Sequence, residues 1–280
     1  MQDSTGAGES GGPGGCITDD TAGDHTFDCG HLTFDVSVPS RCLRESCGLI
    51  VDVHGRTMSG PMQEANTRLK ALGLERGYVV IQPNANPAPP LSAWVGEADD
   101  ATVVDFVEQA IAAFEVDSDR VHLTGFSQGG SMTWRLLGDY GELWASAAPA
   151  AACGIGLPSA VVPLLYMHGT ADALTGYGCA EPYVDALREH YELAGDGEVV
   201  DSGEDHVRVR YGSDGPALIE LLSHDYDNGN AILGGHCYPG SDDPGDAPGQ
   251  LFTFACGGDE AFAWGQSVID FFEAHPRAAR

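Results

Sequence analysis

Lysine is almost absent from this chain, which contains only Lys70 among 13 basic residues. Acidic residues number 42, and the formal net charge is −29 at pH 7. Nucleic acids and anionic membrane surfaces are themselves negative, so such a chain would be repelled by both. We therefore expect neither partner and interpret the acidic residues as a solvated surface, which also suggests tolerance of high salt.

Adjacent aspartates such as Asp99-Asp100 leave loose calcium binding as a less favoured alternative. No segment has the spacing of an EF-hand loop, so we expect no metal and no cofactor.

Long hydrophobic runs are also missing, and none approaches the roughly 18 residues needed to cross a bilayer. No signal peptide is recognisable either. With 280 residues, 42% of them hydrophobic, the chain has enough apolar material for one large core. We expect a soluble, monomeric α/β domain over residues 16–280, preceded by a flexible tether of Gly, Ser and acidic residues over 1–15.

No Cys-x-x-Cys pair is present, so the eight cysteines do not suggest a zinc site. Their number is typical of an oxidising compartment, and we expect a secreted or periplasmic protein whose signal was replaced by Met1. Whether its precursor carries a lipid anchor is left open. Cys42 and Cys47 are close enough in sequence to form a small loop. We suggest the pairs Cys16–Cys29 and Cys237–Cys256, although sequence alone does not fix the pairing.

Segments with the pattern of a strand alternate along the chain with segments of helical spacing, which predicts a mostly parallel sheet with helices on both faces. An alternating pattern favours an edge strand at 31–38, and continuous apolar runs favour buried strands. Strands are expected at 31–38, 48–53, 78–81, 121–124, 145–152, 161–167, 207–211 and 217–222, the last two at the far edge. Helices are expected at 61–76, 99–114, 131–137, 181–193 and 267–273.

One stretch carries most of the chemical information. The strand 121–124 leads directly into Gly125-Phe126-Ser127-Gln128-Gly129, and a segment with helical spacing follows. This order of strand, Gly-x-Ser-x-Gly and helix is typical of a nucleophile elbow, in which a strained serine is exposed at the tip of a turn. Side chains at the two glycines would collide with the neighbouring backbone. We therefore predict that Ser127 is a nucleophile.

A serine nucleophile needs a histidine base and a carboxylate that orients it. In hydrolases with this elbow, the chain order is Ser, then acid, then His. Asp172 directly follows the strand 161–167, whereas Asp185 lies on a helix and Asp201 precedes an edge strand. For the base we favour His236, in a glycine-flanked loop. We interpret His168 as a structural hydrogen-bonding residue and the remaining late histidines as surface groups: His206, His224 and His275.

The oxyanion formed during acyl transfer needs two N–H donors. In this scaffold one comes from the residue after the serine, Gln128, and the other from the loop after an earlier strand. We choose the backbone of Arg56, with Thr57 as the alternative. His54-Gly55, just before it, is by itself compatible with an ordinary turn.

Four motifs in this order resemble the polyhydroxybutyrate depolymerase and feruloyl esterase group of secreted α/β-hydrolases. They are His54-Gly55, Gly125-Phe126-Ser127-Gln128-Gly129, His168-Gly169-Thr170-Ala171-Asp172 and Gly235-His236-Cys237-Tyr238-Pro239-Gly240. The resemblance implies a cofactor-free serine carboxylesterase acting on polyesters, hydroxycinnamoyl esters or similar aromatic esters. By position, the nucleophile, acid and base are Ser127, Asp172 and His236.

The resemblance has departures, because the group commonly has tryptophan where Tyr238 stands. We suggest that Trp94, Phe126 and Tyr238 form an aromatic platform for the acyl group of a small or polymeric ester. The alternatives are an acetyl-polysaccharide esterase, a serine peptidase, and an inactive polymer-binding protein. The intact set of Ser, Asp and His argues against the last.

Overall fold

A computed structural model describes residues 15–213 and 215–277 of the chain. The tether expected over residues 1–15 lies outside the described residues, apart from Gly15. A ten-stranded sheet forms the centre of the structure, in the order β1-β2-β4-β3-β5-β6-β7-β10-β9-β8. The strands are β1 (Gly23–Cys29), β2 (Leu32–Val38), β3 (Gly48–Val53), β4 (Tyr78–Asn84), β5 (Val121–Phe126), β6 (Ser146–Ala150), β7 (Leu164–Gly169), β8 (Glu198–Ser202), β9 (His206–Gly212) and β10 (Leu218–His224).

The six central strands are parallel, and two antiparallel strands extend the sheet at each side. β3, β5 and β7 are buried along their whole length, as their continuous apolar sequences require. Because their carboxyl ends lie at one edge of the sheet, the loops that follow them meet there. The predicted α/β architecture is confirmed.

Helices cover both faces of this sheet. They are α1 (Gly60–Thr67), α2 (Leu69–Arg76), α3 (Glu97–Ala113), α4 (Gln128–Tyr140), α5 (Ala180–His190) and α6 (Trp264–Ala274). Side chains of α3, α4 and α5 share one apolar cluster with Leu49 and Val51 of β3. Those of α1, α2 and α6 share a second cluster with Ile50, which points to the opposite face. Among the described residues, no helix has both the length and the apolar character needed to cross a membrane.

The single helix predicted over 61–76 is wrong, because the chain forms two helices that meet at Arg68. This residue is left-handed, with φ of 55°, which interrupts the regular hydrogen bonding. The Glu64 carboxylate accepts the N–H groups of Lys70 at 2.7 Å and Ala71 at 3.3 Å. It thus satisfies first-turn donors of α2 that would otherwise lack partners.

The edge strand predicted at 31–38 is wrong, because β1 covers β2. The two strands predicted at the far edge do lie on that side of the sheet, as β10 and β9, but β8 is the outermost strand. β1 and β8 escaped prediction because their sequences are polar and mostly exposed. Backbone pairing with β9 places β8 in the sheet, whereas β1 combines pairing with β2 and the burial of only Phe27 and Cys29.

Every cysteine is in a disulfide, which confirms the suggested pairs Cys16–Cys29 and Cys237–Cys256 and the small loop Cys42–Cys47. The fourth disulfide, which the sequence did not indicate, joins Cys153 to Cys179. It ties the chain beyond β6 to the start of α5.

Candidate active site

Ser127 lies between the end of β5 and the first residue of α4, with φ of 56° and ψ of −119°. A non-glycine residue in this region of backbone space is strained, and such strain is concentrated at functional sites. The side chain is partly exposed, whereas all of β5 is buried. The turn therefore presents the hydroxyl at the edge of the sheet.

Two glycines permit this turn because other backbone atoms approach them closely. A Cβ atom at Gly125 would lie 2.5 Å from the carbonyl oxygen of Gly129, and one at Gly129 would lie 2.2 Å from that of Val53. Any larger residue would push the start of α4 away from β5 and β3. The steric reason given for the two glycines is confirmed.

Asp172 and His236 meet at the same edge of the sheet. Asp172 follows β7, His236 lies in the long loop after β10, and the segments pair where Asp172 faces Gly234. The distance from His236 Nδ1 to Asp172 Oδ2 is 2.7 Å, and both side chains are buried. Since the ionised carboxylate only accepts, Nδ1 carries a proton and donates it, which leaves the Nε2 lone pair free.

The Asp172 carboxylate is surrounded by donors. Oδ1 accepts the backbone N–H groups of Leu174 at 2.9 Å and Thr175 at 2.8 Å, and Oδ2 accepts the Thr175 hydroxyl at 2.6 Å. Burial alone would raise the pKa of Asp172, but hydrogen bonds from His168, His236 and Thr175 outweigh it and hold the pKa well below its usual range. The carboxylate is therefore ionised at neutral pH.

His236 Nε2 is buried and hydrogen-bonds to no other group in the part of the chain that the structure describes. The bond between Ser127 and His236 is thus not formed in this structure, although the two residues are neighbours. The His236 ring packs on Phe126, with centroids 4.8 Å apart, and Ser127 is the next residue. Bonds of this kind are often long before substrate binds.

His54 fixes the orientation of the peptide group between Gly55 and Arg56. His54 Nδ1 donates to the Gly55 carbonyl at 2.7 Å, and the Ala85 N–H donates to His54 Nε2 at 3.1 Å. Because N–H and C=O point in opposite directions in a trans peptide, this contact turns the Arg56 N–H away from His54. The Thr57 N–H already donates to Ser92 at 2.9 Å. Of the two expected donors, Arg56 is therefore the better placed.

Gln128 contributes its side chain as well as its position at the start of α4. Its amide oxygen accepts the Trp94 N–H at 3.0 Å, and its amide nitrogen donates to the Trp94 carbonyl at 3.1 Å. The Trp94 indole donates to the His54 carbonyl at 2.8 Å. The loop between β4 and α3 is thereby fixed to both sides of the site.

The aromatic platform suggested by the sequence is not formed, because Trp94, Phe126 and Tyr238 are all buried. The Phe126 and Tyr238 rings stack with centroids 4.0 Å apart, beneath the serine turn. The hydroxyl of Tyr238 donates to Gln63 at 2.5 Å. These side chains support the site from below instead of facing a substrate.

The apolar groups that do face solvent at this edge are aliphatic. Leu174 and Ile232 lie two residues from Asp172 and Gly234, which pair in an isolated bridge, and these side chains are 52% and 56% exposed. Leu91 and Val95, in the loop that contains Trp94, are also exposed. No sequence pattern distinguished these four residues, because isolated aliphatic residues in loops are common.

The other acids considered lie elsewhere, and the remaining histidines differ in their positions. Asp185 is exposed on α5 and pairs with Arg188, whereas Asp201 contacts His206 at 3.4 Å on the outer strands β8 and β9. The surface positions expected for His206 and His224 are wrong, because His206 packs on Phe262 and His224 is buried at the end of β10, close to Asp172. His275 follows α6 and packs on Phe271. His168 differs from these, because its Nε2 lies 3.3 Å from Asp172 Oδ2. Sequence reasoning treated His168 as structural and missed this contact, although the four-residue spacing offered a signal.

Comparison with known proteins finds relatives that match only part of the chain. No family model matches the chain. It is 28% identical over 161 residues to a bifunctional acetylxylan esterase/xylanase of Neocallimastix patriciarum, covering 56% of this chain and 24% of that protein. It is 30% identical over 127 residues to feruloyl esterase B of Neurospora crassa, covering 40% of this chain and 42% of that protein. The chain thus spans less than half the length of both curated relatives.

A solved structure matches much more of the chain. The acetyl xylan esterase from Aspergillus awamori superposes with a TM-score of 0.64, covering 90% of this chain and 100% of that protein at 14% identity. At that identity, the likeness concerns the fold alone. The chain has the α/β-hydrolase fold, and its serine turn, acid and histidine lie on the loops that follow β5, β7 and β10 at one edge of the sheet.

Proposed function

We propose that this protein is a serine carboxylesterase in which Ser127 is the nucleophile, His236 the general base and Asp172 the orienting acid. The observation that carries the proposal is the buried 2.7 Å bond from His236 Nδ1 to Asp172, because it leaves Nε2 deprotonated beside the strained serine turn. Sequence similarity to two esterases supports the same class of reaction.

The reaction has two halves. Ser127 Oγ attacks the ester carbonyl while His236 Nε2 takes its proton, and the N–H groups of Gln128 and Arg56 stabilise the oxyanion. His236 then protonates the leaving alcohol, which gives an acyl-enzyme. Water, deprotonated by His236, attacks the acyl carbon, and the proton returns to Ser127 as the acid product leaves.

Within this class we favour esters of bulky apolar acids, such as hydroxycinnamoyl esters and polyesters. Leu174 and Ile232 are exposed beside Asp172 and His236, and exposed apolar groups at a site favour apolar ligands. Acetylated xylan is the second candidate, because the relative that matches more of the chain is a bifunctional acetylxylan esterase/xylanase.

Replacing the nucleophile tests the reaction class. We expect Ser127→Ala to lower kcat on p-nitrophenyl butyrate by at least about 10³-fold, because no other group can form the acyl-enzyme. Ser131→Ala, one turn further along α4, is the matched control and should retain activity. A fluorophosphonate should label the wild type and Ser131→Ala but not Ser127→Ala. Turnover of Ser127→Ala near the wild-type rate would overturn the proposal.

A panel of esters tests the substrate class. We expect kcat/KM for methyl ferulate to exceed that for an acetyl ester with the same methanol leaving group, with polyhydroxybutyrate and acetylated xylan as the polymeric pair. A preference for the acetyl ester and acetylated xylan would select the second candidate. Hydrolysis of peptide amides at comparable rates would instead indicate a peptidase.

A further inference from the structure

The carboxylate of Asp172 is shared by two histidines, of which the proposed mechanism uses one. Its Oδ2 atom accepts from His236 at 2.7 Å and lies 3.3 Å from Nε2 of His168. His168 belongs to β7, four residues before the acid, and its side chain has no exposed surface. The protonation state of this fully buried histidine matters because the ring is in direct contact with the acid.

The protonation of His168 Nδ1 follows from its partner, Tyr166. The Tyr166 hydroxyl lies 2.9 Å from the Ala152 carbonyl and 2.8 Å from His168 Nδ1. A carbonyl only accepts, so the single hydroxyl proton is used on Ala152. The hydroxyl oxygen must then accept from His168, which means that Nδ1 carries a proton.

The other nitrogen faces two oxygens. His168 Nε2 is 3.3 Å from both Asp172 Oδ2 and the Thr175 hydroxyl. The single Thr175 proton has two acceptors, Asp172 Oδ2 at 2.6 Å and the Ala151 carbonyl at 3.1 Å, and the shorter bond to the charged carboxylate is the stronger. A bare lone pair on Nε2 would therefore face acceptors only. Both bonds are satisfied when Nε2 also carries a proton.

We propose that His168 is a positioning residue that is protonated on both ring nitrogens, so that a buried imidazolium shares the Asp172 carboxylate with His236. The positive charge on His168 lies beside the same carboxylate, so it disfavours a further positive charge on His236 and hence its protonation. His168 thereby keeps the general base in its free form at a lower pH than an isolated Asp–His pair would, and it holds Oδ2 in place. This role builds on the proposed triad, but the charge on His168 does not depend on catalysis.

The charged and titratable groups around His168 are compatible with a buried cation. Asp172 and Tyr177 face it from the loop after β7, the Tyr177 ring at 5.8 Å, and Tyr166 lies on the same strand. From β10, His224 interacts electrostatically with it. Burial first, and then the charge on His168, lower the pKa of His224 to about 4, so His224 is neutral and does not compete for the carboxylate. Asp225, which follows β10, accepts the Thr170 hydroxyl.

Nuclear magnetic resonance tests the charge directly in the wild-type protein. With 15N-labelled histidine, His168 should show both nitrogens protonated at pH 7, assigned by the signals that disappear in His168→Gln. A neutral ring with one protonated nitrogen would overturn the proposal. This result requires no turnover, so it is distinguishable from a failure of the esterase proposal, which the Ser127→Ala experiment decides.

The pH dependence of kcat/KM tests the effect on His236. Removing the cation in His168→Leu should move the acid limb of the profile upward by about one pH unit. His168→Gln, which can still donate to Asp172 but has no charge, should preserve more of kcat while showing a similar shift. Tyr166→Phe, which removes the acceptor of the Nδ1 proton, should shift the limb less.

A matched control separates positioning from general damage. His190→Gln on α5 removes a histidine that bonds to the Pro158 carbonyl, and its acid limb should coincide with that of the wild type. An unmoved limb in the folded His168 variants, with only a lower kcat or stability, would reduce His168 to a structural role. If His168→Leu does not fold, Tyr166→Phe and the resonance measurement still decide the question.

Discussion

His54 controls the direction of a single peptide group at the site. Its ring is buried between the Gly55 carbonyl, to which Nδ1 donates, and the Ala85 N–H, which donates to Nε2. Burial lowers the pKa of His54 to about 4 despite the opposing hydrogen bond to Gly55. The His54 ring is therefore neutral at neutral pH, and its tautomer is fixed by these two hydrogen bonds.

We expect His54→Ala to lower kcat on p-nitrophenyl butyrate by about 10- to 100-fold with little change in KM, because a misdirected Arg56 N–H weakens only the transition state. His54→Asn, whose side-chain amide can replace Nδ1 as the donor to Gly55, should retain more activity. Steady-state kinetics on both variants checks this. A kcat for His54→Ala within twofold of the wild type would contradict a role for this contact.

At the scale of residues, the sequence indicated candidate site residues best where they come after the end of a strand. Ser127, Asp172 and His236 were chosen on chain order and position, and the structure brings the last two into contact beside the first. The burial of Phe126 and Tyr238 was not predicted, because it depends on stacking between residues that are more than 100 positions apart. The directions of the hydrogen bonds around His168, which determine its protonation state, cannot be predicted from the spacing of residues in the sequence.

Helix α1 is tied to the sheet by a buried polar network around Asp52 of β3. Its carboxylate accepts from Gln63 at 2.6 Å, Thr67 at 2.8 Å and Gln82 at 3.1 Å. Gln63 also accepts the Tyr238 hydroxyl, so the network reaches the loop that contains His236. Burial raises the pKa of Asp52 to about 6, although these three hydrogen bonds oppose the shift.

This raised pKa has a defined effect on stability. Between about pH 4 and 6 the folded state binds a proton on Asp52 that the unfolded state releases, so the contribution of Asp52 to stability falls as pH rises through this window. The change amounts to about 3 kcal/mol for a shift from 3.8 to about 6. Asp52→Asn should therefore gain stability relative to the wild type as pH rises from 4 to 7.

Urea unfolding at several pH values checks this expectation, because urea is uncharged and does not screen the acidic surface. Burial also raises the pKa of Glu64, to about 7, so the contribution of Glu64 to stability likewise falls as pH rises. Burial lowers the pKa values of His54 and His224 to about 4, so their contributions to stability rise with pH. Both histidines are present in the wild type and in the variant. The difference between wild type and Asp52→Asn reports Asp52 together with its repulsion of Glu64, since the Asp52 charge also raises the pKa of Glu64. A difference that is constant with pH would contradict the raised pKa.

At the scale of elements, the buried strands and long helices followed from apolar periodicity. The break at Arg68 was not predicted, since its cause is the Glu64 side chain reaching the start of α2. β1 was missed because only Phe27 and Cys29 face the core, which is too short a pattern to reveal a strand, and β8 was missed because all of its residues are exposed. Elements held by backbone pairing or by one side chain leave little trace in sequence.

Across the whole molecule, negative charge dominates. Arg135 pairs with Asp100, and Arg208 and Arg210 both pair with Glu220, yet the formal net charge is still −29. Self-repulsion of this size destabilises the compact state. It acts over a Debye length of about 10 Å at 0.1 M salt, which shrinks to about 3 Å at 1 M.

We therefore expect Tm to rise as sodium chloride is increased from about 0.1 to 1 M, the range over which this screening length contracts. Scanning calorimetry checks the trend, and potassium chloride at the same concentrations should give the same curve if screening is the cause. Sucrose at matched osmolality is the uncharged control. A steady fall of Tm with salt would mean that the surface ion pairs matter more than the net repulsion.

Two of the four disulfides are attached to the loops of the proposed triad. Cys237 directly follows His236, and its bond to Cys256 is buried, whereas the half-buried bond between Cys153 and Cys179 holds the chain just past Asp172. Reducing agents in the surroundings would reach the second bond sooner. The proposed activity would thereby depend on the redox state of the surroundings, and we expect dithiothreitol to lower it in two stages while the ten-stranded sheet stays folded.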